Sequence, residues 1–333
     1  MAKNELGGRI QTVLGTIDPS DLGITLTHEH LLIDLMCYFE MPEEASEREW
    51  IDAKVTMDRL GGAYRRFSHF PDAIQLFDTD EAIREVLKYK YAGGNSLMDT
   101  TTWGLGRDPL ALARISRATG LNVIMGSGYY TPMYHPEDMD AKSEQSITDE
   151  IIRDITVGVG DTGVRSGFIG ELGNFWPTDQ NTIKSLEASA HAAMETGAVV
   201  LIHPGFDPDS PPAIVETLTG AGLDPSRIIM GHLELLPTNF AWLKDLAQSG
   251  CYLEWDIFGW EDTKATIPLI SDVERMENIE YAISEGFGDK ILVGSDVCTK
   301  TQYTKYGGKG YAHILENIVP RMRKRGFTEE SIQ

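Results

Sequence analysis

The chain has 333 residues, enough for two average domains or for one α/β barrel. Its 51 acidic and 29 basic side chains give a net charge of −22, which argues against nucleic acid or an anionic membrane as partner. Cys37, Cys251 and Cys298 are few, scattered and odd in number, which argues against a disulfide framework and for a reducing, cytoplasmic compartment. Residues 1–10 contain no apolar signal-type run, and no segment approaches 18 consecutive apolar residues, so neither a secretory leader nor a transmembrane helix is expected.

In chain order, the first short β-branched run is Ile24–Thr27. A long segment, about 31–80, follows with little regular pattern beyond a helix near 44–66; it is too long for a simple loop and is expected to fold over one end of the molecule. From Thr79 the rhythm is regular. Asp80–Ala92 reads as a helix stopped by Gly93-Gly94, and Ser96–Thr102 as a strand. Asp108-Pro109 opens a helix to Thr119 that Gly120 ends. Strand Asn122–Gly128, helix Ile147–Gly160, strand Gly167–Gly173 and helix Asn181–Thr196 come next. The second half repeats the alternation: strand Ala198–His203, helix Pro212–Ala221, strand Ile228–His232, helix Asn239–Ser249, strand Cys251–Ile257, helix Asp272–Glu285 after an irregular approach from 260, strand Ile291–Asp296 and helix Tyr311–Arg325.

Eight strands alternate with eight helices, and runs such as Ala198-Val199-Val200-Leu201-Ile202 lack the in/out alternation of a half-exposed strand. This is the pattern of a single-domain α/β chain with a parallel sheet buried on both faces, a TIM (β/α)8 barrel. A doubly wound open sheet is the alternative, but no G-x-G-x-x-G opens a helix after a strand. Thr328-Glu329-Glu330 looks like the first turn of a further helix, so the natural C-terminus is expected beyond Gln333.

Barrel active sites lie at the C-terminal ends of the strands. Read there, strand 1 ends in His28-Glu29-His30, strand 4 carries Glu171, strands 5 and 6 end in His203 and His232, and strand 8 ends in Asp296. Residues i and i+2 of a strand share a face, so His28 and His30 aim two imidazoles at one point. Taken singly, each of these side chains is more often a core histidine, a cap or a buried pair; their ordered recurrence at five strand ends is what points to a site. His69, His135, His191 and His313 fall in loops or helices and keep a structural reading. Six ligands exceed one four-coordinate zinc and suit two metals sharing a carboxylate, with Asp296 also accepting the proton of an attacking water.

At this point the chain resembles the amidohydrolase superfamily, in its phosphotriesterase family. The resemblance rests on Gln11-Thr12-Val13-Leu14-Gly15, Leu26–His30, Gly167–Gly173, Ile202–Gly205, Gly231-His232-Leu233 and Ser295-Asp296. Cys251–Gly259, Lys300-Thr301, Lys305–Gly308, Gly310-Tyr311 and His313-Ile314-Leu315 resemble the phosphotriesterase-related branch in particular. The resemblance implies that His28, His30 and Asp296 hold a more buried metal, His203 and His232 a more exposed one, and that Glu171 bridges them. It implies two divalent ions, zinc first, with manganese, cobalt and iron equally compatible with such donors. One departure stands out. The phosphotriesterases and lactonases of the family bridge their metals with a carboxylated lysine where this chain has Gly170, and Glu171 comes one residue later. A one-residue offset reverses a side chain unless a bulge, which Gly170 permits, restores it. The departure argues against carrying over paraoxonase-type activity.

Expected pocket walls are Trp103, Arg107, Tyr129, Tyr130, Trp176, Lys300 and Tyr303, with Asn174, Phe175 and Tyr306 beside them. Arg107 and Lys300 are the cations available for an anionic tail, Arg107 alternatively for an acidic neighbour. The resemblance implies a hydrolase of small-molecule amide or ester bonds, of the N-acyl amino acid or N-acyltaurine type. A lactonase with weak phosphotriesterase activity is the alternative, and a non-catalytic small-ligand binder of the same fold is the alternative of another class. By analogy, the 31–80 segment and the loop aromatics are compatible with a homodimer.

Overall fold

The computed structural model describes residues 7–236, 239–261 and 269–333. Eight short strands run β1 (Thr25–Glu29), β2 (Ser96–Asp99), β3 (Asn122–Met125), β4 (Ile169–Gly173), β5 (Val200–His203), β6 (Ile228–Met230), β7 (Tyr252–Trp255) and β8 (Ile291–Val293). β1–β3 and β4–β8 form two parallel sheets in sequence order. Hydrogen bonds carry the strands across both gaps. The Ser127 N–H donates to Phe168 O (3.1 Å) between β3 and β4, and the Asp296 N–H to His28 O (3.1 Å) between β8 and β1. The fold is the TIM barrel that the alternation implied, with its interior filled by side chains such as Met98, Ile124, Leu201 and Ile229.

Helices α1 (Thr79–Tyr91), α2 (Pro109–Thr119), α3 (Glu144–Thr156), α4 (Gln180–Thr196), α5 (Ser210–Gly220), α6 (Phe240–Gln248) and α7 (Asp272–Ser284) follow successive strands. Their ends lie where the local chemistry requires. Asp108 accepts from the Ala111 N–H with Pro109 at the first helical position, and Gly120 takes the left-handed conformation (φ 66°) that closes α2. Ser271 and Glu274 form a capping box on α7. Helix α8 (Val319–Arg325) is shorter than the expected 311–325 element, because its approach, Ile314–Ile318, winds as a π-helix ahead of Pro320, which has no N–H to continue the α ladder. The helix expected near 44–66 reduces to Leu60–Arg65 and 3₁₀ turns; Gly61 and Gly62 are poor helix formers. An N-terminal hairpin, Ile10–Thr12 with Gly15–Ile17, was not foreseen: three-residue strands are too short to show a period. Most of the expected irregular approach to α7, residues 262–268, and the first six residues of the chain lie outside the described residues. No helix among the described residues is long and apolar enough to cross a membrane.

The segment between β1 and α1 is fastened to the loops at the C-terminal ends of other strands. Ile33–Asp34 pairs with Gln75–Leu76, and the Asp34 N–H donates to Leu105 O after β2 (2.7 Å). The Cys37 N–H donates to the Tyr134 hydroxyl after β3 (2.8 Å), and Asp72 accepts from Lys300 after β8 (2.7 Å).

Two strands carry one residue more than their partner. Between Leu26 and Glu29, β1 spends three steps against two on β2, and between Ile169 and Leu172, β4 does the same against β5. Gly170 sits in the second irregularity with φ 127°, and a Cβ there would lie 2.3 Å from Leu201 O. Only glycine meets both conditions. Gly170→Ala is therefore expected to destabilise the protein by roughly 2–4 kcal/mol in denaturant unfolding, from steric conflict and a left-handed backbone together.

Candidate metal centre

Glu171 leaves β4 pointing into a ring of imidazoles. Its carboxylate oxygens lie 3.5 Å from His28 Nε2, 3.3 Å from His30 Nε2, 3.4 Å from His203 Nδ1 and 3.4 Å from His232 Nε2. Asp296 Oδ1 stands 3.3 Å from His30 Nε2. All six side chains expected from the strand ends converge here, and all are buried. Two backbone conformations help to aim them: His232 (φ 54°) and Asp296 (φ 42°) are the non-glycine residues with positive φ among the described residues.

The donor set suits divalent metal. Among the described residues three groups of mutually close donors occur, His28 with His30 and Asp296, His28 with Glu171 and His232, and His28 with Glu254 and Asp256; His203 is in none of the three. His28 Nε2, His203 Nε2 and Glu171 Oε2 are buried without a hydrogen-bond partner, an arrangement that is costly unless something else satisfies them. Two ligands about 2.1 Å from one tetrahedral ion stand roughly 3.4 Å apart, which matches the separations around Glu171.

Electrostatics in the cluster is a contest between burial and paired charge. Burial raises the Glu171 carboxyl, but the four surrounding imidazoles override it and hold its pKa well below the usual carboxylate range. Burial lowers His28 and His232, yet Asp256 and Glu171 lift both well above the ordinary imidazole value. His30 is likewise lowered by burial and lifted by Asp296 and Glu171, to about 9. For His203 burial prevails and the pKa falls.

Several participants were not foreseen. Asp256 Oδ1 lies 2.7 Å from His232 Nδ1, and its Oδ2 lies 3.0 Å from His28 Nδ1. Glu254 Oε2 is 3.4 Å from His28 Nδ1. The available signal was the i, i+2 spacing of two acids on a strand otherwise buried. His30 Nδ1 contacts the Thr101 hydroxyl (2.8 Å), which itself donates to Leu32 O (2.9 Å), so the His30 ring donates from Nδ1 and keeps Nε2 for the cluster. Glu29, between the two histidines, points the other way and accepts from the Ser295 and Val297 N–H groups, while burial pushes its pKa up to about 8. Beneath the centre, fully buried Arg275 joins Glu234 (3.0 Å) and Asp272 (2.8 Å), and Glu234 accepts from the Ile257 N–H (3.0 Å) just after Asp256. His313 completes this assembly at 2.8 Å from Asp272. His69, His135 and His191 pair with Glu47, Tyr130 O and Glu144, respectively.

The expected pocket walls divide. The Tyr130 hydroxyl stands 3.3 Å from His203 Nδ1 and 3.0 Å from the Tyr38 hydroxyl, so this wall touches the centre. Trp103 (44%) and Trp176 (40%) are exposed. Arg107 is held by Asp154 and Gly126 O (both 2.9 Å), and Lys300 by Asp72 (2.7 Å). The Tyr129 hydroxyl donates to Glu150, and Tyr303 is buried. A cavity of about 470 Å³ lined by Trp103, Arg107, Tyr129, Glu150 and Asp154 includes none of the six donors. Phe206, unnoticed in the sequence, packs edge-on to His203 with ring centroids 6.1 Å apart.

A TIM barrel with four imidazoles and two carboxylates gathered at its C-terminal end has the make-up of a metal-dependent hydrolase. The chain belongs to the phosphotriesterase family, whose sequence model matches residues 8–333. It is a hydrolase of that family, a family of binuclear metal enzymes. It is similar to the phosphotriesterase-related protein of Nematostella vectensis, with 39% identity over 98% of this chain and 95% of that one. It is similar also to the N-acetyltaurine hydrolase of Homo sapiens, with 39% identity and the same two coverages. Among solved structures it resembles a resiniferatoxin-binding protein from Rhodobacter sphaeroides, with a TM-score of 0.93 and 33% identity over 98% of this chain and 91% of that one.

Removing Arg275 would leave Glu234 and Asp272 without their shared cation in a fully buried setting. Arg275→Ala is expected to cost about 3–5 kcal/mol in equilibrium unfolding, well beyond a surface substitution.

Proposed function

We propose that this chain is a binuclear metal hydrolase of N-acyl amines that carry an anionic head, N-acetyl amino acids and N-acetyltaurine foremost. The observation that carries the metal reading is the cluster of four imidazoles around one buried, charged Glu171 with ligand-type atoms left unpartnered. The substrate class is supported by full-length similarity to proteins named N-acetyltaurine hydrolase, at 36–39% identity. In this reading His28, His30 and Asp296 hold the inner ion, His203 and His232 the outer one, and Glu171 both. Zinc is the first choice, and manganese, cobalt and iron accept the same donors. When bound, such a pair polarises the scissile carbonyl and acidifies the attacking water.

The chain's own residues supply the rest. Asp296 sits at the edge of the cluster and is its most exposed carboxylate (8%), placed to take the proton of the attacking water and pass it toward the leaving amine. Tyr130 and Phe206 both pack against the His203 ring, an aromatic surface suited to the acyl portion. Arg107 and Lys300 are each already paired with a carboxylate, so an anionic head competes for them with Asp154 and Asp72. A lactonase with weak phosphotriesterase activity is the second reading. A binding-only role is the third, favoured by the likeness to the resiniferatoxin-binding protein and opposed by the complete donor set.

Zinc- or manganese-loaded protein assayed on N-acetyl amino acids, N-acetyltaurine, their neutral esters, lactones and paraoxon separates these. The anionic acyl amines should turn over fastest; fast lactone opening with no acyl-amine turnover would sink the first reading. Mass spectrometry should find about two metals per folded chain, and a chain that takes none after loading would overturn the binuclear assignment. Asp296→Asn should lower kcat by about 10²–10⁴-fold with an unchanged circular dichroism spectrum, as expected on removing a general base.

A further inference from the structure

We propose that Asp256 is a positioning residue that decides which ring nitrogen both His28 and His232 present to the metal pair. This rests on the binuclear reading above. A histidine offers a lone pair from one nitrogen only when its proton resides on the other. His28 and His232 turn Nε2 toward Glu171 and Nδ1 toward Asp256. Asp256 Oδ1 accepts from His232 Nδ1 (2.7 Å), while Oδ2 accepts from the His232 backbone N–H (2.9 Å) and stands 3.0 Å from His28 Nδ1, which Glu254 Oε2 also faces (3.4 Å). One carboxylate therefore serves two imidazoles that the assignment places on different ions.

The surroundings are shaped for that carboxylate. A Cβ on Gly231 would lie 2.8 Å from Asp256 Oδ2, and one on Gly294 would lie 3.0 Å from His28 Cβ and 3.2 Å from Asp256 Cβ. The Asp256 and Ile257 N–H groups face Glu234, itself fixed by Arg275, so the strand end that bears Asp256 is anchored from below.

The geometry makes an asymmetric prediction for the isosteric variant Asp256→Asn. An amide has one accepting oxygen and one donating nitrogen. The His232 backbone N–H can only donate, so the amide oxygen must take the Oδ2 position. The amide NH₂ then faces His232 Nδ1 and drives that ring's proton to Nε2, removing it as a ligand. His28 keeps an acceptor in the amide oxygen and a second in Glu254, 3.4 Å away. The outer ion is lost and the inner one kept.

The test compares manganese-loaded wild type and Asp256→Asn by metal content per folded chain and by electron paramagnetic resonance. Wild type should hold about two ions with the exchange-coupled spectrum of a pair, and the variant about one with a mononuclear spectrum. A variant that keeps the coupled pair, or that folds and loses both ions, would overturn the role of Asp256 while leaving the binuclear reading intact; wild type without a pair would overturn that reading itself. Should Asp256→Asn fail to fold, zinc-loaded wild type labelled with ¹⁵N-histidine decides. His28 and His232 should each carry a single proton on Nδ1, and a proton on Nε2 of either ring would refute the proposal.

Discussion

The C-terminal end of this barrel is arranged around one electrostatic constraint: Glu171 is charged, central and almost fully removed from water. A carboxylate in that position is tolerable only if positive or polarisable groups surround it. Four imidazoles do so, and each is buried in turn and needs its own partner at the far nitrogen. The demand propagates outward to Asp256 behind His28 and His232 and to Thr101 behind His30; at His203 the Tyr130 hydroxyl instead meets Nδ1, the nitrogen that faces Glu171. It ends at the buried Arg275 assembly, where the acids beneath the centre meet a permanent cation. The site is thus several layers deep although only six side chains face its middle.

The same constraint accounts for the irregular backbone. His232 and Asp296 adopt left-handed conformations that cost non-glycine residues about 1–3 kcal/mol each. Both are held by hydrogen bonds from within the network: the His232 N–H to Asp256, the Asp296 N–H to His28 O, and the Gln302 side-chain amide to the Asp296 carbonyl (2.7 Å). The scaffold that aims the six side chains is therefore made largely of their own neighbours.

The alternation of buried runs with capped helices made the barrel legible in the sequence, because period and punctuation are local properties. So were His28, His30, Glu171, His203, His232 and Asp296, since polar residues at the ends of apolar strands stand out. Asp256 and Glu254 were equally visible as letters, but their meaning depends on which strand lies beside β7, a long-range fact. Arg275 was hidden more completely: on an amphipathic helix it looks like a solvent-facing cation, and only the packing of α7 under Glu234 makes it internal. Arg107 and Lys300 show the reverse. They looked available for an anionic ligand, and the fold gives each a carboxylate from a distant segment, Asp154 on α3 and Asp72 before α1.

The extra residue in β4 has a consequence for what this point of the strand can accept. Ile169 and Leu172 pair with Val200 and Ile202, so residues 170 and 171 together occupy one rung of the ladder. The extra residue is what lets Gly170 and Glu171 share one step of the sheet. A lysine written at position 170 would not take over the place of Glu171, because its Cβ would be directed at Leu201 O. Moving a charged side chain one residue back along this strand therefore requires removing the extra residue as well as changing the side chain, a coupled event that no single substitution achieves.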